Sequence, residues 1–259
     1  MQYENIVVEI GEDLVASLTL NRPQQFNTFN TPLALELDQA LKALDADRNV
    51  RVILLKGAGK NFCAGIDVGE LAGKTAMEYQ AWIERMEEPL VTISRMNKPV
   101  IAQVQGVAAA NGAGLVAAAD LAIVADTARL GLTAINVGLN CVGPVVPVAR
   151  SVGRKVALEM LLFGDLIGAP EALGKGLVNR VVPAADLEKE ARAWAALLAQ
   201  KSPIAVQIAK RGFYTAADMG YGKAFEHMNE VFARLCTTED AKEGVTAFLE
   251  KRKPVWREC

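Results

Sequence analysis

The feature that most constrains the fold is a pair of glycine-rich turns, each directly after an apolar run that reads as a buried strand. The first turn, residues 57–67 (GAGKNFCAGID), follows the run 52–55. The second, residues 106–114 (GVAAANGAG), follows the run 100–104 and leads into a short apolar helix that ends near Asp120. Small residues in both turns leave the main chain uncovered, so another group can approach the backbone closely.

Two such turns on neighbouring strands can aim two backbone N–H groups at one point. This geometry suits an oxyanion hole, where fixed dipoles in a dry site stabilise charge that develops on a thioester or ester carbonyl oxygen. For the first turn alone, an ordinary strand-to-helix connection is an equally good interpretation. The second turn favours the oxyanion interpretation.

The rest of the chain predicts an α/β core followed by helices. Six segments read as strands, at residues 6–10, 14–20, 51–55, 100–104, 121–125 and 177–182. Helical stretches between them favour right-handed crossovers, and Thr31-Pro32 is expected to begin the first helix as N-cap and first-turn proline. Residues 184–252 carry helical patterns that divide into three or four helices. We therefore predict a core over residues 1–200 and a helical segment over 201–259.

Composition limits the partners and the compartment. A formal net charge of -2 argues against a general nucleic-acid or membrane-surface binder and favours small molecules and further copies of the chain. Four widely spaced cysteines without a C-x-x-C pair suggest neither a zinc site nor a disulfide framework. The chain starts without a signal-peptide pattern, and polar residues interrupt its longest apolar tract, 99–125. We expect a cytoplasmic protein that binds no metal and spans no membrane.

Three common catalytic patterns fit poorly. Residues 112–117 match a G-x-G-x-x-A dinucleotide fingerprint, but the helix that would follow is too short for a crossover, and no acidic residue ends a strand about twenty residues later. Residues 57–60 resemble part of a phosphate loop, yet Asn61 stands where a magnesium-binding Ser or Thr belongs. The single histidine, His227, lies in a helical stretch where packing or surface exposure is the better interpretation.

Taken together, these segments resemble the enoyl-CoA hydratase/isomerase (crotonase) superfamily over nearly the whole chain. The matching motifs occur in family order and are Asn21-Arg22-Pro23 with Asn27, FCAGID at 62–67, KPVIA at 98–102, the segment 106–120, GKGLV at 174–178 and the segment 243–253. The resemblance implies a spiral of ββα units with a C-terminal helical lid. It also implies trimers that often pair into hexamers.

The resemblance further implies an acyl-CoA substrate, with coenzyme A as part of that substrate and no separate cofactor. By position, the oxyanion donors are the backbone N–H groups of Ile66 and Asn111, although Gly or Ala is usual where Asn111 stands. The resemblance places coenzyme A along Gln24, Gln25 and Phe26, with Ala64 and Asp67 near its adenine. Phe248 and Lys251, from this or a neighbouring subunit, are expected to close over it. Without the resemblance, Lys251 reads as a solvated helix end.

The chain departs from the hydratase pattern at its acids. Addition of water across an α,β double bond requires a base for the water and an acid for the α-carbon. The two hydratase glutamates correspond to Gly114 and Ala134, so both are missing. Cys141 lies near the position of a nucleophilic aspartate in a related CoA dehalogenase, although a buried inert thiol is the better interpretation. Three other carboxylates are candidates to replace the glutamates, although a solvated or capping role is the simpler explanation for each: Asp67, Glu70 and Glu84.

Two hypotheses about function stay open at this point. The first is a lyase or isomerase that needs mainly enolate stabilisation, with weak or absent hydration of crotonyl-CoA. The second is a non-catalytic acyl-CoA-binding protein that kept the binding site and lost turnover. RNA binding, known for one branch of the family, is disfavoured by the acidic residues of the first predicted helix, among them Glu36, Asp38 and Asp45.

Overall fold

Strands of a single parallel-rich sheet form the centre of the molecule. The structure, a computed structural model, describes residues 3–258. Residue 1, where the predicted core begins, and Cys259, where the predicted helical segment ends, lie outside the described residues. The strands are β1 Ile6–Ile10, β2 Val15–Leu20, β3 Val52–Gly57, β4 Val100–Val104, β5 Val107–Ala109, β6 Leu121–Ala125, β7 Arg129–Gly131, β8 Ile167–Gly168 and β9 Arg180–Val182. Six of them form the main sheet in the order β1-β2-β3-β4-β6-β9, and β5, β7 and β8 form a smaller one.

The register of the main sheet decides which loops meet. Only β1 pairs antiparallel, while β2, β3, β4, β6 and β9 run parallel. Lys56 near the end of β3 lies opposite Gln103 near the end of β4. Because parallel neighbours end at the same edge of a sheet, the two glycine-rich turns leave the sheet side by side.

The helices cover the sheet and build the last third of the chain. They are α1 Thr31–Ala46, α2 Ala76–Arg95, α3 Asn111–Ala118, α4 Val145–Val152, α5 Arg154–Phe163, α6 Ala169–Gly174, α7 Leu187–Ala199, α8 Pro203–Ala216, α9 Tyr221–Cys236 and α10 Glu239–Leu249. The predicted α/β arrangement is confirmed. Within residues 3–258, no helix is both long and apolar enough to cross a membrane.

The start of α1 differs by one residue from the prediction. Asn30 is the N-cap, and its side chain accepts a hydrogen bond from the Leu33 N–H, while Thr31 is the first helical residue. The hydroxyl of Thr31 instead bonds to Glu70 at 2.7 Å. Asparagine and threonine both cap helices well, so local sequence alone did not separate them.

The last predicted strand is shorter than expected. Leu177 and Val178 are buried but precede β9, which begins at Arg180. Between them Asn179 takes over the pairing with β6, because its backbone N–H donates to the Ala122 carbonyl and its side-chain oxygen accepts from the Ala122 N–H. A side chain that substitutes for backbone pairing in this way ends a strand early.

A buried ion pair fastens α8 to the sheet. Asp120, between α3 and β6, accepts hydrogen bonds from Lys210 Nζ at 2.7 Å, the Tyr214 hydroxyl at 3.0 Å and the Val100 N–H at 2.7 Å. Lys210 also donates to the Lys98 carbonyl at 2.8 Å, and its side chain is only 5% exposed. Removal of the Lys210 ammonium would therefore leave the Asp120 carboxylate and the Lys98 carbonyl without this donor in a buried position.

We therefore expect Lys210→Ala to lower the free energy of unfolding by about 3 kcal/mol or more, because Asp120 loses its cation in a buried position. Urea denaturation followed by circular dichroism measures this. The matched control is Lys223→Ala, which removes an exposed lysine with an exposed partner and is expected to change little. Equal effects of the two variants would show that the buried pair does not fasten α8.

Candidate active site at the edge of the main sheet

The two glycine-rich turns are paired to each other by backbone hydrogen bonds. The Cys63 N–H donates to the Val107 carbonyl at 3.1 Å, and the Ala109 N–H donates to the Cys63 carbonyl at 2.9 Å. Cys63 and Ala108 thus form a parallel bridge between the first turn and β5. Gly112 packs so closely on this bridge that an added Cβ would lie 2.2 Å from the Cys63 carbonyl oxygen. A glycine is therefore required there for the turns to touch.

The residues that precede the two predicted oxyanion donors are in contact. A Cβ on Gly65, before Ile66, would lie 3.0 Å from the Cβ of Ala110, before Asn111. Ala110 has φ 48° and ψ -114°, a conformation that L-residues rarely adopt. Backbone strain of this kind costs about 1–3 kcal/mol and persists only where the surroundings impose it. The contact therefore holds the two following peptide groups close together at a strained corner.

Both predicted donors are free to bind something else. Among residues 3–258, no acceptor takes the backbone N–H of Ile66 or Asn111. Asn111 is 2% exposed and begins α3, where the first N–H groups lack helical partners and carry partial positive charge. Its side-chain Nδ2 is also buried without a partner in the described chain. Two unpaired N–H groups on touching turns can donate hydrogen bonds to an oxygen that develops negative charge.

A buried asparagine stabilises the first turn by hydrogen bonds to its backbone. Asn27 is fully buried; its side-chain nitrogen donates to the carbonyls of Ala58 and Asn61, both at 2.9 Å, and its side-chain oxygen accepts from the Arg22 N–H at 2.9 Å. The Asn61 side chain in turn accepts from the Val107 N–H at 3.0 Å. This layer was not predicted as part of the site, although Asn27 belongs to the motif around Asn21-Arg22-Pro23.

Five of the predicted coenzyme A contacts lie together beside the first turn. Gln24 and Gln25 form a short 3-10 turn, and Phe26 follows with φ 52° and 59% exposure. The Phe26 carbonyl accepts a hydrogen bond from the Ala64 N–H at 3.1 Å. Asp67 is engaged internally, since it pairs with Arg22 at 3.0 Å and caps the 3-10 turn Val68–Glu70.

The structure does not bring the other two predicted contacts to this group. Phe248 is 82% exposed near the end of α10, and Lys251 follows it. The chain beyond Lys251 folds back, so that Glu258 pairs with Arg51 at 2.6 Å. Arg51 directly precedes β3, at the opposite end of that strand from the first turn. Within the described chain, no hydrogen bond or ion pair joins Lys251 to residues 24–26.

The two positions of the absent glutamates are closed or apolar. A Cβ on Gly114 would lie 2.9 Å from Pro144 and 3.0 Å from the Leu90 side chain, so a longer side chain has no room without rearrangement. Ala134 lies in the 3-10 turn Thr133–Val137, partly buried. Cys141 lies beside it and is 3% exposed. Burial raises the pKa of the Cys141 thiol, and a hydrogen bond with the Ala134 backbone lowers it by a smaller amount. A raised thiol pKa lowers the fraction of nucleophilic thiolate.

The three alternative carboxylates have structural partners. Asp67 pairs with Arg22 as described above. Glu70 accepts from the Thr31 N–H and hydroxyl and from Trp82 Nε1 at 3.1 Å. Burial acts to raise the pKa of Glu70, but these hydrogen bonds outweigh it and hold the pKa below its ordinary value. Glu84 is exposed and bonds to Gln80 at 3.1 Å.

A cavity of about 900 Å³ opens between α2, α3, α4 and α8. Much of its wall is apolar, with Leu90, Val116, Val146, Pro147, Leu177 and Phe213. Leu90 is also the residue that closes the Gly114 position. Glu87 lines the cavity as well, although nothing in the local sequence distinguished it from the other acids of α2. The cavity is large enough for an acyl chain and borders the position of one absent glutamate.

Comparison with known proteins identifies the family to which this fold belongs. The Enoyl-CoA hydratase/isomerase family model matches residues 11–259. Human enoyl-CoA hydratase domain-containing protein 3, mitochondrial, is 37% identical over 246 residues, which cover 94% of this chain and 81% of that protein.

Solved structures give the same result. The crystal structure of enoyl-CoA hydratase from Mycobacterium smegmatis superposes with a TM-score of 0.95 at 39% identity, over 98% of this chain and 99% of that one. The structure of human enoyl-CoA hydratase domain-containing protein 3 gives a TM-score of 0.93 at 34% identity, over 98% and 100%. The chain belongs to the enoyl-CoA hydratase/isomerase superfamily of acyl-CoA-processing enzymes, and the predicted crotonase fold is confirmed.

The strained corner makes a stability prediction. Ala110→Gly is expected to raise the free energy of unfolding by about 1 kcal/mol, because glycine adopts a positive φ without steric cost. Ala109→Gly is the control, since Ala109 lies in ordinary strand geometry in β5 and its replacement should destabilise. Chemical denaturation of both variants measures the difference. A loss of stability in Ala110→Gly as large as in Ala109→Gly would contradict the assigned strain.

Proposed function

We propose that the protein binds an acyl-CoA and polarises its thioester carbonyl with the backbone N–H groups of Ile66 and Asn111. The observation that carries this proposal is that both N–H groups lack an acceptor and belong to turns in direct contact. Hydrogen-bond donors fixed before the reaction stabilise an enolate or tetrahedral oxyanion without reorganisation. Polarisation of the carbonyl also acidifies the α-carbon, which is the step shared by the reactions expected of such a site.

In this proposal coenzyme A lies along Gln24, Gln25 and Phe26, next to Ala64 and Asp67, as part of the substrate. The apolar wall of the cavity supports an acyl chain bound between α2 and α4. Phe248 and Lys251 act on a neighbouring subunit. This is supported by the exposed apolar side chains of the last three helices, which include Phe213, Tyr221, Phe225, Phe232, Phe248 and Leu249. A homotrimer or a dimer of trimers buries such a surface.

The reaction we favour is one that needs mainly enolate stabilisation, such as an isomerisation or a decarboxylation, because Gly114 and Ala134 carry no acid–base groups. A non-catalytic acyl-CoA-binding protein is the alternative, and the closed Gly114 position supports it. A cytoplasmic location stays a prediction, and the human relative is named a mitochondrial protein.

Loss of one backbone donor is the direct test of the oxyanion hole. Ile66→Pro deletes the N–H, so turnover of any acyl-CoA substrate should fall by about 10²-fold or more. Ile66→Val keeps the N–H and should leave turnover nearly unchanged. Steady-state kinetics of the two variants give the comparison, with circular dichroism as the check on folding. A folded proline variant of undiminished activity would remove Ile66 from the mechanism.

A second test separates the enzyme from the binding protein. Calorimetry is expected to show binding of coenzyme A thioesters, and a turnover screen over a panel of acyl-CoAs then shows whether any is consumed. Crotonyl-CoA hydration, followed by the loss of its absorbance, should be weak because general acid–base catalysis contributes about 10²–10⁴-fold. A kcat in the ordinary range of about 1–10³ s⁻¹ would contradict the inference of weak hydration. Absence of binding by any CoA species would overturn the proposed function itself.

A further inference from the structure

We propose that Glu87 on α2 is the group that removes and returns a proton at the α-carbon of the bound thioester. The inference rests on the proposed acyl-CoA function. It assigns the acid–base role to an element that carries neither of the absent glutamates.

The carboxylate of Glu87 lies directly against the loop before α4. A Cβ built on Gly143 would lie 1.6 Å from one of its oxygens and 2.0 Å from its carboxyl carbon, so the carboxylate is in direct contact with the Gly143 backbone. Gly143 and Glu87 line the cavity together. The carboxyl group of Glu87 therefore lies at the cavity wall, beside the loop before α4.

This loop connects Glu87 to the position of the first absent glutamate. Pro144, the next residue after Gly143, lies 2.9 Å from the place where a Cβ on Gly114 would be. Leu90, one helical turn after Glu87 on α2, lies 3.0 Å from the same point. Gly114 is itself one turn along α3 from Asn111, whose N–H is one of the two free donors. The contacts of Glu87 with Gly143 and of Pro144 with Gly114 therefore place the Glu87 carboxylate near the part of α3 that begins at Asn111.

Glu87 is the unpaired acid of its helix. On α2, Glu78 closes a capping box with Thr75, Glu84 bonds to Gln80, and Glu88 lies 3.8 Å from Lys42. In the part of the chain that the structure describes, no hydrogen bond or ion pair reaches the carboxylate of Glu87. An acid that is half-buried at a cavity and has no partner is costly to the fold, and such groups are concentrated at functional sites.

The surroundings tune this acid by burial and not by a charged neighbour. Burial raises the pKa of the Glu87 carboxyl above its ordinary value. Most other ionisable groups of the cavity and its loops are paired with one another: Asp120 with Lys210 and Tyr214, and Arg150 with Asp218. The remaining ones are Arg95, on the last turn of α2, and the buried thiol of Cys141 in the loop before α4. A carboxyl with a raised pKa is a stronger base when ionised, which suits removal of a weakly acidic proton.

The chemical step is a balanced proton transfer. The ionised carboxylate takes the α-proton, the electron pair of the broken C–H bond moves into the enolate, and its oxygen accepts hydrogen bonds from Ile66 and Asn111. The protonated carboxyl then returns a proton to the same carbon or to the γ-carbon of an unsaturated chain. When the protonated carboxyl first exchanges its proton with water, return to the α-carbon gives exchange with solvent. Return to the γ-carbon gives migration of the double bond.

Exchange of α-protons tests the proposal without knowledge of the natural substrate. Butanoyl-CoA is incubated with the protein in D₂O, and deuterium at the α-carbon is followed by mass spectrometry, while calorimetry measures butanoyl-CoA binding separately. Glu87→Gln is expected to bind butanoyl-CoA as the wild type does and to exchange about 10²–10⁴-fold more slowly. Glu87→Asp should restore part of the rate. Glu88→Gln, the same substitution one residue on, should leave exchange unchanged.

The pH profile provides a readout that a packing role would not change. The wild-type exchange rate should rise with pH through the raised pKa of Glu87 and then level off, and this rise should be absent in Glu87→Gln. Because the raised pKa of this half-buried carboxyl means that its ionisation opposes folding, Glu87→Gln should also melt at a higher temperature than the wild type at neutral pH. The difference should vanish as the pH falls through the raised pKa and below the ordinary one.

Two results overturn the inference in different ways. Binding of butanoyl-CoA together with equal exchange by wild type and Glu87→Gln, or with no exchange by the wild type, removes Glu87 from proton transfer and leaves acyl-CoA binding intact. Absence of binding by the wild type overturns the proposed function and the role of Glu87 with it.

Discussion

The contact between the two glycine-rich turns is the constraint on which the site depends. It exists because β3 and β4 are parallel neighbours and because Gly112 lets the Cys63 carbonyl approach α3. At this contact Ala110 has a φ of 48° directly before Asn111, whose backbone N–H has no acceptor among residues 3–258. The strain is local, and the paired strands, the Asn27 hydrogen bonds and the Asp120–Lys210 ion pair oppose it with many interactions. An edge with fixed, unpaired N–H donors therefore depends on a rigid sheet.

Much of the fold was predictable because its signals are local. The apolar runs of β3 and β6 are continuous and that of β4 is interrupted only by Gln103, as expected for strands buried on both faces, and the leucines of α1 recur at helical spacing. The segment from β7 to α6 gave no such signal. β7 and β8 have only three and two residues, and they are held by pairing with β5 and with each other across a long stretch of sequence. Short strands of this kind are fixed by tertiary contacts, which a sequence window does not contain.

The residues of the candidate site also differ in whether local sequence signals predict them. Ile66 and Asn111 follow from turn chemistry and from the family resemblance, since a backbone donor requires only the right turn at the right strand end. Glu87 has no comparable signal. Its carboxylate contacts Gly143, which is more than fifty residues away in the sequence. In the proposed function, Phe248 and Lys251 act through contacts between subunits, which the sequence of one chain does not show. Residues whose roles depend on long-range or intermolecular contacts are the ones that local patterns miss.

The proposed role of Glu87 places the acid on α2 instead of α3, and this changes the chemistry that the same scaffold favours. Addition of water needs two groups that act together on opposite partners, one on the water and one on the α-carbon. Here Pro144 and Leu90 fill the first of the two glutamate positions, and Ala134 with the buried Cys141 occupies the second. One carboxylate remains at the wall of the cavity, and a single group that first accepts and then donates a proton is sufficient for migration of a double bond. In the proposed assignment, a single unpaired acid without the two hydratase glutamates favours an isomerase over a hydratase on the crotonase fold.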